Sequence, residues 1–330
     1  MSDRTITYAE GILEGFRYLL QNYPEVFVIG QGLWSPWYVG TTMTDLDRDF
    51  GTERIIDSPV SELATTGAAL GASLCGYRPI VVHPRMDFMV LATDQIVTQA
   101  AKWSHMFGGQ AHPALTVRGI INRGGEQGAQ HSQALHSWFC HVPGLYVVMP
   151  ANPADARDLF IASVLADDPV LFVDDRWSYE LTDAVGPVEP CQLHSVEPAV
   201  LKKGDDCTLV GCGFATSQNL EAAASLHEAG IDCEVVDLRV INPIKHDVVA
   251  GSVAKTGRLL VTDGGWRNCG LAGEIIAGVV ERADMGVFRS QPRRLTLTDA
   301  PAPTSSALER DYYTDVREIV DSVVAMMAQT

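Results

Sequence analysis

The sequence predicts an α/β protein with two open parallel β-sheets. Short apolar runs alternate with helical patterns along nearly the whole chain, which is typical of parallel strands covered by helices. The runs show no internal alternation of apolar and polar residues, so we expect strands that are buried on both faces. This pattern fails once, from Trp177 to about Asp206, and then resumes. We therefore expect one sheet on each side of this irregular segment.

The first half of the chain carries predicted strands and two well-marked helix starts. The capping box Thr7-x-x-Glu10 opens a helix that runs to about Asn22, and Asn152-Pro153 begins another with proline in its first turn. Strands are predicted at residues 26–30, 79–83, 115–119, 146–149 and 170–173. Helices and strands therefore interleave from the start.

The irregular segment divides the chain into residues 1–185, a linker at 186–206 and residues 207–330. The pairs Gly186-Pro187 and Glu189-Pro190 interrupt regular structure there. A second series follows, with strands predicted at 208–211, 233–238, 259–262 and 295–297 and helices around 217–229, 271–281 and 315–327. This series predicts a second, smaller sheet.

The composition is that of a soluble protein with a large core. Of the 330 residues, 46% are hydrophobic and 20% are charged, and the formal net charge is −17. A field of this sign repels phosphate backbones and anionic lipid, so neither nucleic acid nor a membrane is an expected partner. The seven cysteines form no C-x-x-C pair, which indicates a reduced chain. Because a basic leader and an apolar run of about 18 residues are both absent, we expect a cytoplasmic protein.

Glu62 is the first candidate site residue. It follows Ser61, which can cap a helix of small residues, and it falls in the first turn at the positive end of the helix dipole. Locally, Glu62 is either a carboxylate that complements this dipole or a functional group. The base rate for such carboxylates favours the dipole role.

A glycine-rich loop that leads to His131 is the second candidate. It follows a predicted strand, and ligands of open α/β sheets bind beyond the carboxyl ends of strands. It contains neither a G-K-S/T phosphate-binding motif nor G-x-G-x-x-G. His131 is therefore either a general acid or base, or a loop histidine that hydrogen-bonds to backbone groups.

Phe88 lies just past another strand end, where its ring could stack on a heterocycle or fill the core. The histidines and cysteines lack metal-ligand spacing, so we expect no catalytic transition metal. No G-x-S-x-G motif occurs either, which disfavours a serine hydrolase.

Taken together, these segments resemble the β subunits of the E1 component of 2-oxoacid dehydrogenases of the pyruvate, branched-chain and acetoin type. The resemblance implies a transketolase-like fold, in which a pyrimidine-binding domain is followed by a transketolase C-terminal-like domain. It rests on collinear segments at residues 54–62, 76–79, 86–88, 94–96, 106–110, 128–133, 141–145, 266–274 and 303–309.

The resemblance also implies roles for individual residues. Thiamine diphosphate would be the cofactor, with Glu62 facing N1′ of its aminopyrimidine and with Phe88 and the adjoining Met86 against that ring. His131 would transfer protons or bind the acceptor during the second half-reaction. The family decarboxylates a 2-oxo acid and usually transfers the product to a lipoyl group on an E2 protein.

A partner is implied by what the sequence lacks. Enzymes of this kind bind Mg²⁺ and the diphosphate through a Gly-Asp-Gly motif, and the nearest approach here is Asp263-Gly264-Gly265 in the second half. We therefore expect an α subunit that supplies this motif and the main Mg²⁺ ligands in an α₂β₂ heterotetramer. The resemblance also suggests a K⁺ ion held by backbone carbonyls near Leu115, Ala166 and Asp168.

Some positions depart from the family pattern and suggest an unusual substrate. Arg85 and Arg123 are unlike the common pyruvate-type sequences, and with Gln130 they are candidate substrate-binding residues. Either arginine could meet an anionic group on a substrate larger than pyruvate. Alternatively, each could form an ion pair, with Asp87 or Glu126.

Two other functions compete with the E1 interpretation. The chain could be half of a split transketolase or an acyloin-forming enzyme, in which the acceptor is an aldehyde. It could also be a non-catalytic subunit that only completes an assembly. The identity of the acceptor distinguishes the split transketolase or acyloin-forming enzyme from the E1 interpretation. The effect of changing Glu62 on turnover distinguishes the non-catalytic subunit from both.

Overall fold

The computed structural model describes residues 4–329. Its strands form a seven-stranded sheet, a five-stranded sheet and a separate two-stranded pair. In chain order they are β1 (Arg4–Thr7), β2 (Val26–Gly30), β3 (Ile55–Asp57), β4 (Arg78–His83), β5 (Thr116–Ile121), β6 (Tyr146–Val148), β7 (Val170–Asp175), β8 (Thr182–Val185), β9 (Ala199–Lys202), β10 (Cys207–Gly211), β11 (Cys233–Asp237), β12 (Val240–Asn242), β13 (Leu259–Trp266) and β14 (Arg293–Leu297).

Helices connect most of these strands, and several begin where the sequence provides a cap. Thr7 and Glu10 form the predicted capping box, and the Asn152 side chain accepts from the backbone amide of Asp155. The α-helices are α1 (Tyr8–Asn22), α2 (Pro36–Val39), α3 (Leu46–Phe50), α4 (Glu62–Ser73), α5 (Met86–Met89), α6 (Ala101–Met106), α7 (His136–Cys140), α8 (Pro153–Leu165), α9 (Phe214–Glu228), α10 (Asp247–Thr256), α11 (Leu271–Val280), α12 (Ser306–Tyr312) and α13 (Val316–Met327).

The seven-stranded sheet has the order β12-β6-β7-β5-β4-β2-β3 and is parallel except for β12. Every residue of β5 and β7 is buried, as expected of parallel strands that are covered on both faces. Helices α1 and α8 pack together on this sheet. A side chain at Gly11 would place its Cβ 2.5 Å from the carbonyl oxygen of Pro153, so glycine is what permits this close approach.

The five-stranded sheet has the order β14-β13-β10-β11-β9, with β9 antiparallel to β11. Helices α9 and α13 cover one face through a core that includes Leu226, Ile319 and Val323. Strand β12 leaves this half of the chain and adds to β6 at the edge of the seven-stranded sheet. The two halves are therefore joined by strand pairing as well as by side-chain packing.

The predicted α/β class with two parallel-rich sheets is confirmed, and each predicted strand overlaps an observed one. The strands that the sequence did not reveal are the short β1, β3, β8, β9 and β12. Strand β9 and a 3₁₀ turn at Leu193–Ser195 lie inside the predicted linker 186–206, which is therefore not wholly irregular. The position of the domain boundary stays a prediction.

A buried ion pair lies at the centre of the seven-stranded sheet. Arg118 on β5 donates from Nε and Nη2 to the two carboxylate oxygens of Asp174 on β7, at 2.9 and 2.7 Å, and both side chains are 0% exposed. Arg118 also donates to Thr42, while the Tyr179 hydroxyl donates to Asp174 at 2.6 Å. Burial alone would lower the pKa of Arg118, but the Asp174 carboxylate raises it.

None of the helices between residues 4 and 329 combines the length and the apolar character that crossing a bilayer requires. The cysteines are free thiols. Cys207, Cys212 and Cys233 are buried, as expected of core thiols, whereas Cys75 and Cys269 are exposed.

Candidate active site

A cavity of about 460 Å³ opens at the carboxyl ends of β2, β3 and β4. This is the edge at which ligands of parallel sheets bind. Its walls come from the loops that follow these strands and from the long loop after β5. The residues used below that line it are Trp37, Tyr38, Val60, Glu62, His83, Arg85, Phe88, Leu91 and His131. The structure therefore brings together Glu62, Phe88 and His131, which are far apart in the sequence.

Glu62 is the first residue of α4, at the positive end of its dipole, and it is half-buried at the cavity wall. Ser61 occupies the cap position, but its side chain makes no cap hydrogen bond, contrary to the prediction. Within residues 4–329 the Glu62 carboxylate has no hydrogen-bond or ion-pair partner, and only its backbone carbonyl accepts from the hydroxyl of Thr65, at 3.2 Å. The carboxylate is therefore free to bind a ligand.

Phe88 and His131 form an edge-to-face pair, with ring centroids 5.2 Å apart and an interplanar angle of 83°. Phe88 is 37% exposed, so part of its ring is open to the cavity. His131 is half-buried, and its backbone amide donates to the carbonyl of Gly128, which has a φ of 72°. This turn brings the imidazole back over the cavity.

Asp87 ties the loops after β4 and β5 together. Its carboxylate accepts from the backbone amide of Gln133 at 3.1 Å, while the Asn122 side chain donates to the carbonyl of Pro84 at 2.8 Å. Burial raises the pKa of Asp87, although the hydrogen bonds from Gln133 oppose this. These contacts fix Phe88 relative to His131.

His83 also lines the cavity, although no sequence motif singled it out. Its Nε2 lies 3.2 Å from the Thr66 hydroxyl, and burial lowers its pKa to about 4, so the ring is neutral near pH 7. The only available signal was its position as the last residue of β4. We assign it to holding α4, which carries Glu62, against the strand.

Tyr38 closes the cavity on the side of β2. Its ring packs on Gly32, where a Cβ would lie 2.4 Å from Cγ of Tyr38 and where φ is +68°, so only glycine fits without strain. Asp57 at the end of β3 accepts from the backbone amides of Gly32 and Leu33, at 2.5 and 3.2 Å. The loop that follows β2 is therefore held at the cavity rim.

Met86 was expected against the aminopyrimidine ring and Gln130 at the substrate, but neither side chain lines the cavity. Met86 is 0% exposed and packs in the core, where its sulfur accepts from the amide of Leu135 at 3.3 Å, so it does not line the cavity. The side chains of a short helix point in different directions, and in α5 it is Phe88 that faces the cavity. Gln130 is exposed outside the cavity wall.

Arg123 lies between the two sheets and away from the cavity. It forms a buried ion pair with Asp175, its guanidinium carbon lies 4.8 Å from the centroid of the Trp177 ring, and it donates to the carbonyl of Gly264 at 3.2 Å. The suggested alternative partner, Glu126, instead accepts from the backbone amide of Ser306. Arg123 therefore joins the two halves of the chain and does not reach the place of a substrate.

Asp263 belongs to the segment that comes nearest to a Gly-Asp-Gly motif. Its carboxylate already interacts with a histidine side chain. Its Oδ1 lies 2.9 Å from Nε2 of His136, and both side chains are buried. Burial acts to raise the pKa of Asp263, but His136 and the amide of Gly265 outweigh it and lower the pKa. Between residues 4 and 329, no three His, Cys, Asp or Glu side chains are grouped so that they could hold a metal ion.

Two of the three carbonyls suggested for K⁺, those of Leu115 and Ala166, already accept hydrogen bonds. Leu115 accepts from the amide of Val170 at 2.9 Å, and Ala166 accepts from Nη1 of Arg78 at 2.8 Å. The Asp168 side chain lies 3.1 Å from Nδ1 of His112. Because a carbonyl oxygen has a second lone pair, the K⁺ site stays a prediction.

The arrangement suits a planar nitrogen heterocycle. An unpartnered carboxylate can hydrogen-bond to a ring nitrogen, an exposed aromatic face can stack on the ring, and an imidazole beside them can exchange protons. The cavity is open on one side, so a ligand can extend beyond the surface of this chain.

Comparisons with known proteins agree with this geometry. A family model described as the transketolase pyrimidine-binding domain matches residues 4–181, and one described as the transketolase C-terminal domain matches residues 197–319. A solved structure described as a split-gene transketolase in an inactive β4 tetramer superposes with a TM-score of 0.78, covers 98% of this chain and 99% of its own, and is 21% identical. This last likeness concerns the fold.

Two curated relatives are similar over most of their length. The chain is 32% identical to the acetoin:2,6-dichlorophenolindophenol oxidoreductase subunit β of Bacillus subtilis, over 99% of this chain and 98% of the relative. It is also 32% identical to the pyruvate dehydrogenase E1 component subunit β of Rhizobium meliloti, over 98% of this chain and 70% of the relative.

Proposed function

Because the chain belongs to the transketolase-like E1 β-subunit family of thiamine-diphosphate-dependent 2-oxoacid dehydrogenases, we propose that its cavity is the pyrimidine half of an active site shared with an α subunit. The reaction is decarboxylation of a 2-oxo acid and transfer of the remaining unit. The observation that carries the proposal is the meeting of an unpartnered Glu62 carboxylate, the open face of Phe88 and His131 in one cavity.

The residues present fit an aminopyrimidine. The free carboxyl of Glu62 would hydrogen-bond to a ring nitrogen, and the exposed face of Phe88 would support the ring. Thiamine diphosphate, when bound, supplies an electron sink for the pair of electrons left when a bond next to a carbonyl carbon breaks. Glu62 would control the proton at the ring nitrogen.

His131 and the apolar walls serve the substrate. The edge-to-face contact between Phe88 and His131 limits the rotation of the imidazole, so His131 can give or take a proton at one fixed place. The side chains of Trp37 and Leu91 line the outer part of the cavity. Once covered, they exclude water from the site, which strengthens the electrostatic interactions of Glu62.

The relatives are β subunits, and this chain accordingly has an α-subunit partner. We propose that the α subunit carries the Gly-Asp-Gly motif and holds Mg²⁺ and the diphosphate in an α₂β₂ heterotetramer. Large apolar side chains at the cavity mouth support this: Trp37 is 71% exposed, Val60 68% and Leu91 59%. Exposed apolar groups of this kind mark surfaces that a partner covers.

The acceptor decides which reaction the complex completes. We propose a lipoyl group on an E2 protein, and an aldehyde acceptor would instead indicate an acyloin-forming or transketolase-type enzyme. The test uses the chain co-purified with its α subunit and measures the release of CO₂ from 2-oxo acids with a lipoyl domain, an aldehyde or the dye 2,6-dichlorophenolindophenol as acceptor.

We expect CO₂ release that needs both subunits and is sustained by the lipoyl domain or the dye. Sustained turnover with the aldehyde alone would favour the split-transketolase alternative. Absence of CO₂ release from every 2-oxo acid by an assembled complex that binds thiamine diphosphate would contradict the proposed function.

A further inference from the structure

Arg85 is a cation in the cavity wall without a counter-ion. It precedes α5, it is half-buried, and its side chain lines the cavity. Its Nη1 is buried and has no hydrogen-bond partner. A buried charged donor without a partner is costly, and native structures retain such groups mostly where a ligand completes them.

A second guanidinium group, that of Arg176, lies near Arg85. Arg176 donates to the carbonyls of Trp37, at 3.0 Å, and of Tyr38, while its Nε is buried without a partner. Burial and the charge of Arg176 lower the pKa of Arg85, but arginine stays protonated in proteins near neutral pH. The charge of Arg176 therefore adds to the positive potential at Arg85, which lines the cavity.

The nearby carboxylates form no ion pair with these two guanidinium groups. Asp87 accepts from the amide of Gln133, and its other oxygen is buried and unpartnered, so it makes no ion pair with Arg85. Among residues 4–329, neither Arg85 nor Arg176 has a carboxylate oxygen within 4.0 Å of a side-chain nitrogen. Glu62 is the carboxylate that lines the same cavity, and the proposed function assigns it to the cofactor.

We propose that Arg85 binds a second carboxylate of the donor, so that the substrate is a 2-oxo diacid. A planar guanidinium matches a carboxylate in charge and geometry, and the unpartnered Nη1 gains the hydrogen bond that it lacks. Arg176 strengthens the positive potential and holds the Trp37 and Tyr38 backbone in place. The inference rests on the proposed function and adds the class of substrate to it.

The test compares diacids with neutral 2-oxo acids of equal chain length in the αβ complex. Oxaloacetate, 2-oxoglutarate and 2-oxoadipate are paired with 2-oxobutyrate, 2-oxovalerate and 2-oxohexanoate, and kcat/KM is measured from CO₂ release. We expect at least one diacid to exceed its neutral partner by about 10- to 100-fold, the range of a hydrogen bond to a charged group.

Variants assign this preference to the side chain. Arg85→Met keeps the length and removes the charge, so the ratio of the two kcat/KM values should fall by about 10- to 100-fold, mainly through KM. Arg85→Lys should retain part of the preference. Arg317→Met, which changes an exposed arginine outside the cavity, should leave the ratio unchanged.

A binding readout does not depend on turnover. Calorimetric titration of the complex with glutarate and with pentanoate should show tighter binding of the dianion in the wild type and loss of this difference in Arg85→Met. If neutral 2-oxo acids are turned over and diacids are not preferred, the inference is wrong and the proposed function stands. If no 2-oxo acid is turned over, both fail.

Discussion

Replacement of Glu62 by glutamine is expected to lower the turnover of the assembled complex by about 100- to 10,000-fold, the range for loss of a general acid or base. Glutamine keeps the size and can still accept a hydrogen bond, but it cannot hold and release a proton at the ring nitrogen. The complex should still assemble, since the Glu62 carboxylate has no hydrogen-bond or ion-pair partner within residues 4–329. Turnover is measured as CO₂ release, and assembly by size-exclusion chromatography.

The same variant separates catalysis from a purely structural role. A carboxylate that only complements the α4 dipole would contribute about 0.3–1 kcal/mol to stability and nothing to turnover. Glu221→Gln, an exposed change on α9, is the matched control and should leave turnover unchanged. Turnover of Glu62→Gln within about threefold of the control would show that the carboxylate has no catalytic part, and a non-catalytic assembly subunit would become the better account.

Replacement of Arg118 by methionine is expected to lower the free energy of unfolding by about 3–5 kcal/mol, because it leaves the buried Asp174 charge unpaired. The loss should appear as a lower midpoint in urea, followed by circular dichroism. Tyr179 can still donate to Asp174, but one neutral donor cannot replace the guanidinium.

Two further variants test the cause of this loss. Adding Asp174→Asn to Arg118→Met removes the unpaired charge and should restore part of the stability, since the asparagine oxygen can still accept from Tyr179. Arg48→Met breaks an exposed ion pair with Asp45 and should cost less than about 1 kcal/mol. A similar small loss in Arg118→Met would refute the claim that the buried pair supports the sheet.

The sequence predicted the strands that are buried on both faces but missed those that depend on distant partners. The runs at residues 26–30 and 170–173 are apolar throughout, and that signal is local. Strand β12 has only three residues, and it exists because it pairs with β6 from the other half of the chain. The sequence of residues 240–242 alone does not predict this pairing.

The candidate site was predictable in part for the same reason. Phe88 and His131 each follow a predicted strand, so both were expected at one edge of the sheet. Glu62 follows β3, which was not predicted, and the strand order decides that the three residues meet. Arg123 and Arg85 looked alike in the sequence. The first pairs with Asp175 and the second has no such partner, and only the three-dimensional arrangement separates them.

The central claim is that this chain holds half of a thiamine diphosphate site, and calorimetric titration tests it most directly. Thiamine diphosphate with Mg²⁺ is titrated into the purified chain alone, and then into the chain co-expressed with a candidate α subunit that carries Gly-Asp-Gly. We expect no measurable binding to the chain alone and tight binding to the complex, with about one cofactor per β subunit. Tight binding to the chain alone would contradict the claim, because this chain would then provide the diphosphate site itself.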